Sequence, residues 1–139
     1  MAALPGAADV RADHGCTRCA EVRKDRLRVT AGEKNLRAFR LSSDAGSRRV
    51  IATCCNTPLF LEMKGAHWVS VYLSLWPEDS RPAPDVRTMT GDLDDPSVLL
   101  GDIPNLKGHS IGFYAKLFAA WVAMGFRNPK LPVQGEINV

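Results

Sequence analysis

Between residues 26 and 76, five short apolar-rich runs alternate with turn residues at roughly ten-residue spacing. Such a rhythm suits a mostly antiparallel sheet and little else, because each run is too short for a stable helix. "RLRVT" (26–30) puts Leu27 and Val29 on one face, and "AGEKN" (31–35) turns at Gly32. "LRAFRLS" (36–42) reads as the returning strand, with a change of apolar phase between Ala38 and Phe39, as at a bulge. "SDAGS" (43–47) turns again, "RRVIATCC" (48–55) is the third strand and "TPLFLEM" (57–63) the fourth. Pro58 suits the start of that strand, since it cannot donate to a central ladder. "HWVSVYLSLW" (67–76) closes the series, with Val69, Val71, Leu73 and Leu75 opposite Trp68, Tyr72 and Trp76.

The pattern then changes. Residues 77–110 hold five prolines and many acids, which suggests an irregular wrap rather than a second core. A 3.6-residue period follows through Ile111, Tyr114, Leu117, Phe118, Trp121, Val122 and Gly125. Ser110 can cap this helix, Gly125 can end it, and Pro129 forbids its resumption. Its apolar stripe is wide enough to pack on the sheet, the preferred reading, or on a second subunit as a homodimer. The expected architecture is therefore mainly β: small antiparallel sheets with one C-terminal α-helix. Residues 1–22 form a tail with a candidate C-x-x-C knuckle, 23–76 the β core, and 77–139 the wrap and helix of the same domain.

Apolar residues make up 45% of the 139 and charged residues 24%, ordinary values for a soluble globular chain. No apolar run reaches the roughly 18 residues of a membrane span, and the most apolar stretch, 111–126, carries Lys116. The first fifteen residues lack the apolar segment of a secretory signal, so a cytoplasmic protein is expected. Residues 1–50 carry eleven Lys or Arg against six Asp or Glu, and the remainder seven against nine. A basic half could attract nucleic acid. However, Arg26, Arg28, Arg37 and Arg40 lie among apolar residues, as on a solvated sheet face, and stacking aromatics are scarce there. Nucleic acid is thus disfavoured as a partner.

Chemistry points to the four cysteines. In a reducing compartment two close pairs suggest metal before disulfide. Cys16-Thr17-Arg18-Cys19 has the spacing of a zinc knuckle; His14 and either Cys54 or Cys55 could complete a tetrahedral Cys3His set. Neighbouring residues of a strand face opposite ways, so Cys54 and Cys55 are not expected to act as an ordinary ligand pair. The competing reading makes Cys54 a small buried hydrophobe and leaves Cys16 and Cys19 as free thiols. His67 and His109 have no ligand-type neighbour at chelating spacing, and the acids of "TGDLDD" (90–95) do not form an EF-hand loop.

The stretch "LRVTAGEKNLRAFRLSSDAGSRRVIATCCNTPLFLE" resembles the glutathione-dependent formaldehyde-activating enzyme family, which includes centromere protein V. Gly32, Leu36, Phe39, Ser42, Arg49, Cys55, Thr57 and Leu59 carry the likeness, which covers about residues 23–130. A subgroup with a Cys-Cys-Asn-Thr-Pro block and a C-terminal helical extension is the most similar. The resemblance implies a zinc-binding β-tent, and a carbon–sulfur lyase activity that joins formaldehyde to glutathione as S-hydroxymethylglutathione. Carried onto this chain, it implies Cys55 as a zinc ligand, with Cys16, Cys19 and His14 as the remaining candidates. Arg18 or Arg49 would then bind a glutathione carboxylate. The chain also departs from the pattern: Ala52 stands where the last C-x-x-C has its first cysteine, and Asn56 where glycine is usual. A non-catalytic remnant of the fold, acting as a structural or dimerisation domain, is the alternative. A basic zinc-ribbon-like nucleic-acid binder is a third reading.

Overall fold

The computed structural model describes residues 8–137. They form two compact units: the chain up to Arg81 together with the stretch from Arg127 onward, and the segment Pro82–Phe126.

The first unit is built on one five-stranded antiparallel sheet. Its strands are β1 (Cys19–Arg23), β2 (Leu36–Phe39), β3 (Ser47–Ala52), β4 (Thr57–Met63) and β5 (Trp68–Tyr72), in spatial order β1-β5-β4-β3-β2. With the single helix Ile111–Ala123, the chain is mainly β, antiparallel, with one C-terminal helix, as its pattern suggested. The first strand lies elsewhere than expected. β1 takes Cys19–Arg23, while Leu27 and Val29 are half-buried and pack on the core without a ladder. The reason is local. Lys24 ends the pairing by donating its amide to the His67 carbonyl at 3.0 Å. Arg23 then turns onto Asp25 at 2.7 Å, so Leu27 leaves the sheet edge.

Leu36, Ala38, Val50, Phe60 and Val69 form the core cluster on one face of the sheet. Leu27 and Val29 cover it from one side, and Leu131 and Val133 from the C-terminal stretch. That stretch also covers the β2 edge: Gln134 donates to Leu36, Ala38 to Gly135 and Ile137 to Ala38, at 2.8–3.0 Å. Arg40 and Arg48 both reach Glu136, at 3.2 and 3.7 Å, pinning it beside the edge. An edge blunted this way does not template further pairing. Ala38 and Phe39 are both buried, as the phase change implied, but the register shift lies between Val50 and Ile51, opposite Pro58. A proline beside an irregularity takes no hydrogen bond from a regular ladder.

The second unit begins with short 3-10 turns at Thr90–Asp92 and Pro96–Val98. Arg87 closes the loop that carries them: its guanidinium meets Asp102 at 2.8 Å and its backbone pairs with Pro104 and Leu106. It ends in α1 (Ile111–Ala123). Ser110 Oγ accepts from the Phe113 amide at 3.1 Å, closing the N-terminus. At the other end Gly125, at φ 65°, donates to Val122 and Phe126 donates to Trp121, while the Trp121 and Phe126 rings meet edge-on at 5.1 Å. This is a Schellman motif with its hydrophobic contact. Leu117 and Met124 are buried and Trp121 is half-buried, whereas Ile111, Tyr114, Phe118 and Val122 stay exposed. No helix among the described residues is long and apolar enough to cross a membrane.

Candidate functional site: thiols at one end of the sheet

The ladder register brings both cysteine pairs to the same end of the sheet. Cys19 opens β1 opposite Tyr72, which closes β5; Ala52 closes β3 opposite Thr57, which opens β4. Residues 16–18 and the 53–56 turn extend from that end. They do not extend side by side, because β5 separates β1 from β4, putting about 9–10 Å between the two strands.

Cys54 and Cys55 do not lie on a strand, so the opposite-face expectation fails. β3 stops at Ala52, and residues 53–56 make a four-residue hairpin turn. The Cys55 amide donates to the Ala52 carbonyl at 3.2 Å, and Thr53 donates both its amide and its hydroxyl to Asn35 O, at 2.9 and 3.0 Å. Asn56 closes the turn at φ 54°. Asparagine tolerates this left-handed conformation better than any bulky residue, and glycine, usual here in the resembling family, tolerates it fully. Both cysteines are exposed, and their sulfurs stand 3.9 Å apart. The Thr57 hydroxyl and amide lower the Cys55 pKa, and the Cys54 thiol adds to them against a small burial penalty. Cys55 is thus more readily ionised than an ordinary cysteine.

The other pair is placed differently. Cys16 is exposed, 3.9 Å from the His14 carbonyl oxygen, and His14 itself sits at φ 59°. Cys19 is half-buried, 3.7 Å from Thr17 Oγ1. Burial pushes its thiol up and the Glu21 charge adds to this, with the Thr17 bond opposing. A thiol held protonated is a weaker metal ligand. Arg18 is exposed, and its carbonyl accepts from the Leu73 amide at 2.8 Å. Arg49 is half-buried on β3 beside Tyr72, whose hydroxyl is pushed up by burial against the pull of that guanidinium. β1 and β3 are three strand spacings apart, but Arg49 reaches across β4 to Tyr72, the residue paired with Cys19.

A tetrahedral zinc site would need Cys16, Cys19, Cys55 and His14 around one point. Among the described residues, no three of His, Cys, Asp or Glu come close enough to share an ion. As they stand, the four candidates do not fit a closed zinc site. The paired sulfurs of Cys54 and Cys55 supply at most two of the four ligands.

One polar cluster escaped the sequence reading. At the opposite end of the sheet, Glu62 is buried on the core face beside Phe60 and pairs with Lys24 Nζ at 2.6 Å and Arg48 Nε at 2.7 Å. Lys24, equally buried, also donates to Asn128 Oδ1 at 3.1 Å, and Asn128 donates to Gly65 O at 3.0 Å. Burial alone would raise the Glu62 pKa, but the bonds from Lys24 and Arg48 outweigh it and hold the carboxyl below its usual value. Beside it, Arg40, Arg48, Glu62, Met63, Lys64 and Gly65 line an open cleft of about 200 Å³. The available signal was the alternation Pro58, Phe60, Glu62, which sets a carboxylate in a buried row and so demands a cation there. No protein-family model, no curated protein and no solved structure matches the chain.

Proposed function

We propose that the chain is a non-catalytic homodimerising domain, with α1 as the interface and the β body as its structural platform. One observation carries this reading: Ile111, Tyr114, Phe118 and Val122 recur at i, i+3, i+7 and i+11 along the full helix and remain exposed, Ile111 at 88% and Phe118 at 58%. Such a continuous apolar strip marks an interaction surface. The helix is about 20 Å long and bears one charged residue, Lys116, so its partner is selected by shape and apolarity rather than by charge. A second copy running antiparallel offers the same strip and satisfies the isologous rule of a two-fold dimer. A cytoplasmic location, where thiols stay reduced, goes with this reading.

Sedimentation equilibrium of the full chain tests it. The expected result is a concentration-dependent dimer that Phe118→Glu converts to a monomer with an unchanged circular-dichroism spectrum. A chain that stays monomeric at every accessible concentration sinks the proposal.

A second reading, the zinc-dependent formaldehyde–glutathione lyase implied by the resemblance, is favoured by the gathering of both thiol pairs at one end of the sheet. It requires the 14–19 segment to move toward Cys55. Near one zinc per purified chain, with Cys16 and Cys19 protected from alkylation and saturable glutathione binding, supports it. Metal-free protein with both thiols freely reactive removes it.

A further inference from the structure

The zinc reading takes Cys55 singly; the pairing of Cys54 with Cys55 enters neither reading. We propose that these two thiols form a bidentate capture site for a bent, two-sulfur thiophilic centre, with monosubstituted trivalent arsenicals as the ligand class.

The argument begins with the bite. The sulfurs are 3.9 Å apart on an exposed turn whose backbone is fixed by Ala52, Asn35 and the left-handed Asn56. Two metal–sulfur bonds of about 2.3 Å at the tetrahedral angle put the sulfurs about 3.8 Å apart, whereas a linear two-coordinate ion needs about 4.6 Å. The observed separation matches the bent case, so a small rotamer adjustment suffices for it. Linear soft ions would force the sulfurs apart. Arsenic–sulfur bonds are of similar length, and their narrower angle asks the sulfurs to close by about half an ångström from 3.9 Å.

Donor count then separates the bent candidates. Among the described residues no third His, Cys, Asp or Glu joins the pair within reach of one ion. Zinc on two thiolates would keep two positions unfilled, whereas an arsenic already carrying one carbon is complete with two sulfurs. Soft thiolate donors suit such a centre. The reaction balances without a redox partner. An arsenoxide, R–As=O, gains two As–S bonds and loses its oxygen, which leaves as water with the two thiol protons. Both sulfurs come from neighbouring residues, so the second bond forms at high effective concentration and resists exchange with single thiols.

The test uses the full reduced chain and phenylarsine oxide. Intact mass is expected to report one adduct at equimolar probe, reversed by a dithiol but not by excess glutathione. Cys54→Ser and Cys55→Ser should each weaken binding by about 100-fold or more, as loss of the second link predicts. The paired substitution Cys16→Ser with Cys19→Ser should leave it unchanged. A measurement on the unmodified chain guards against misfolded variants: alkylation of the loaded protein should spare Cys54 and Cys55 and label Cys16 and Cys19. An adduct that survives either single substitution, that glutathione strips, or that protects Cys16 and Cys19 instead overturns the proposal. Since the α1 interface does not enter these readouts, failure here leaves the dimer reading standing, and protection of Cys16 and Cys19 without any arsenical would instead favour the zinc reading.

Discussion

Phe60 and Phe118 are the same residue in two settings. Phe60 is 4% exposed on β4, within a cluster closed by Val50 and Val69 and covered by Leu131 and Val133 of its own unit. Phe118 is 58% exposed in the middle of α1. The sheet satisfies its backbone through ladders and its apolar side chains through burial. The helix satisfies its backbone ends through Ser110 and the Schellman turn but leaves an apolar strip uncovered. Helix caps and helix burial are thus separable requirements, and α1 meets the first in full and the second only in part, through Leu117 and Met124. The strongest test of the contrast substitutes both residues alike. Phe60→Ala should lower unfolding free energy by about 3–5 kcal/mol, and Phe118→Ala by less than about 0.5 kcal/mol in dilute, monomeric protein. Equal losses in denaturant titrations would break the comparison.

The next effect belongs to the one charged group inside the sheet's apolar row. Glu62→Gln leaves Lys24, itself buried, facing a neutral amide, and should cost about 3 kcal/mol. The pH dependence has a definite sign. Bonds from Lys24 and Arg48 overcome burial to hold the folded Glu62 pKa below its unfolded value, so the unfolded chain binds the proton more readily. The contribution is therefore complete above the unfolded carboxyl range, near pH 4, and is lost as pH falls through the lower folded value. Melting curves of the native chain should show this acid loss, and those of Glu62→Gln should show a shallower one. The cluster also sharpens the contrast, because α1 has no comparable buried ion pair among the described residues.

How far these features were legible in the sequence follows from the range of the forces involved. β4 and β5 and both ends of α1 were readable because alternation, Ser110 and Gly125 act locally. β1 was not. Leu27 and Val29 alternate as well as Ala20 and Val22, and only the long-range ties of Lys24 to His67 and Glu62 decide which run joins β5. The cysteine turn was misread for a related reason. "RRVIATCC" contains no glycine, proline, asparagine or aspartate to mark a turn, and the stop after Ala52 goes with Thr53 reaching Asn35, eighteen residues away. Strand periodicity then assigned opposite faces to two thiols that a turn brings together. Of the candidate ligands, sequence spacing could group Cys16 with Cys19, but only the strand order puts β5 between them and Cys55.

The smallest effect bears on whether the two regions unfold together. Ser110→Ala removes the acceptor of the Phe113 amide and should cost about 1 kcal/mol, the usual value of an N-cap. In a helix with few buried side chains that loss should appear as local fraying rather than as a change in global stability. Hydrogen exchange resolves the two cases. Amides at Phe113 and Tyr114 should exchange about five- to tenfold faster in the variant, the ratio that corresponds to about 1 kcal/mol, while those of Val50 and Val69 stay unchanged. Acceleration of the sheet amides by the same factor would mean that α1 and the sheet open as one cooperative body. The exposed strip would then belong to a helix held by the fold, and its apolarity would have to be explained by a partner rather than by a loosely attached element.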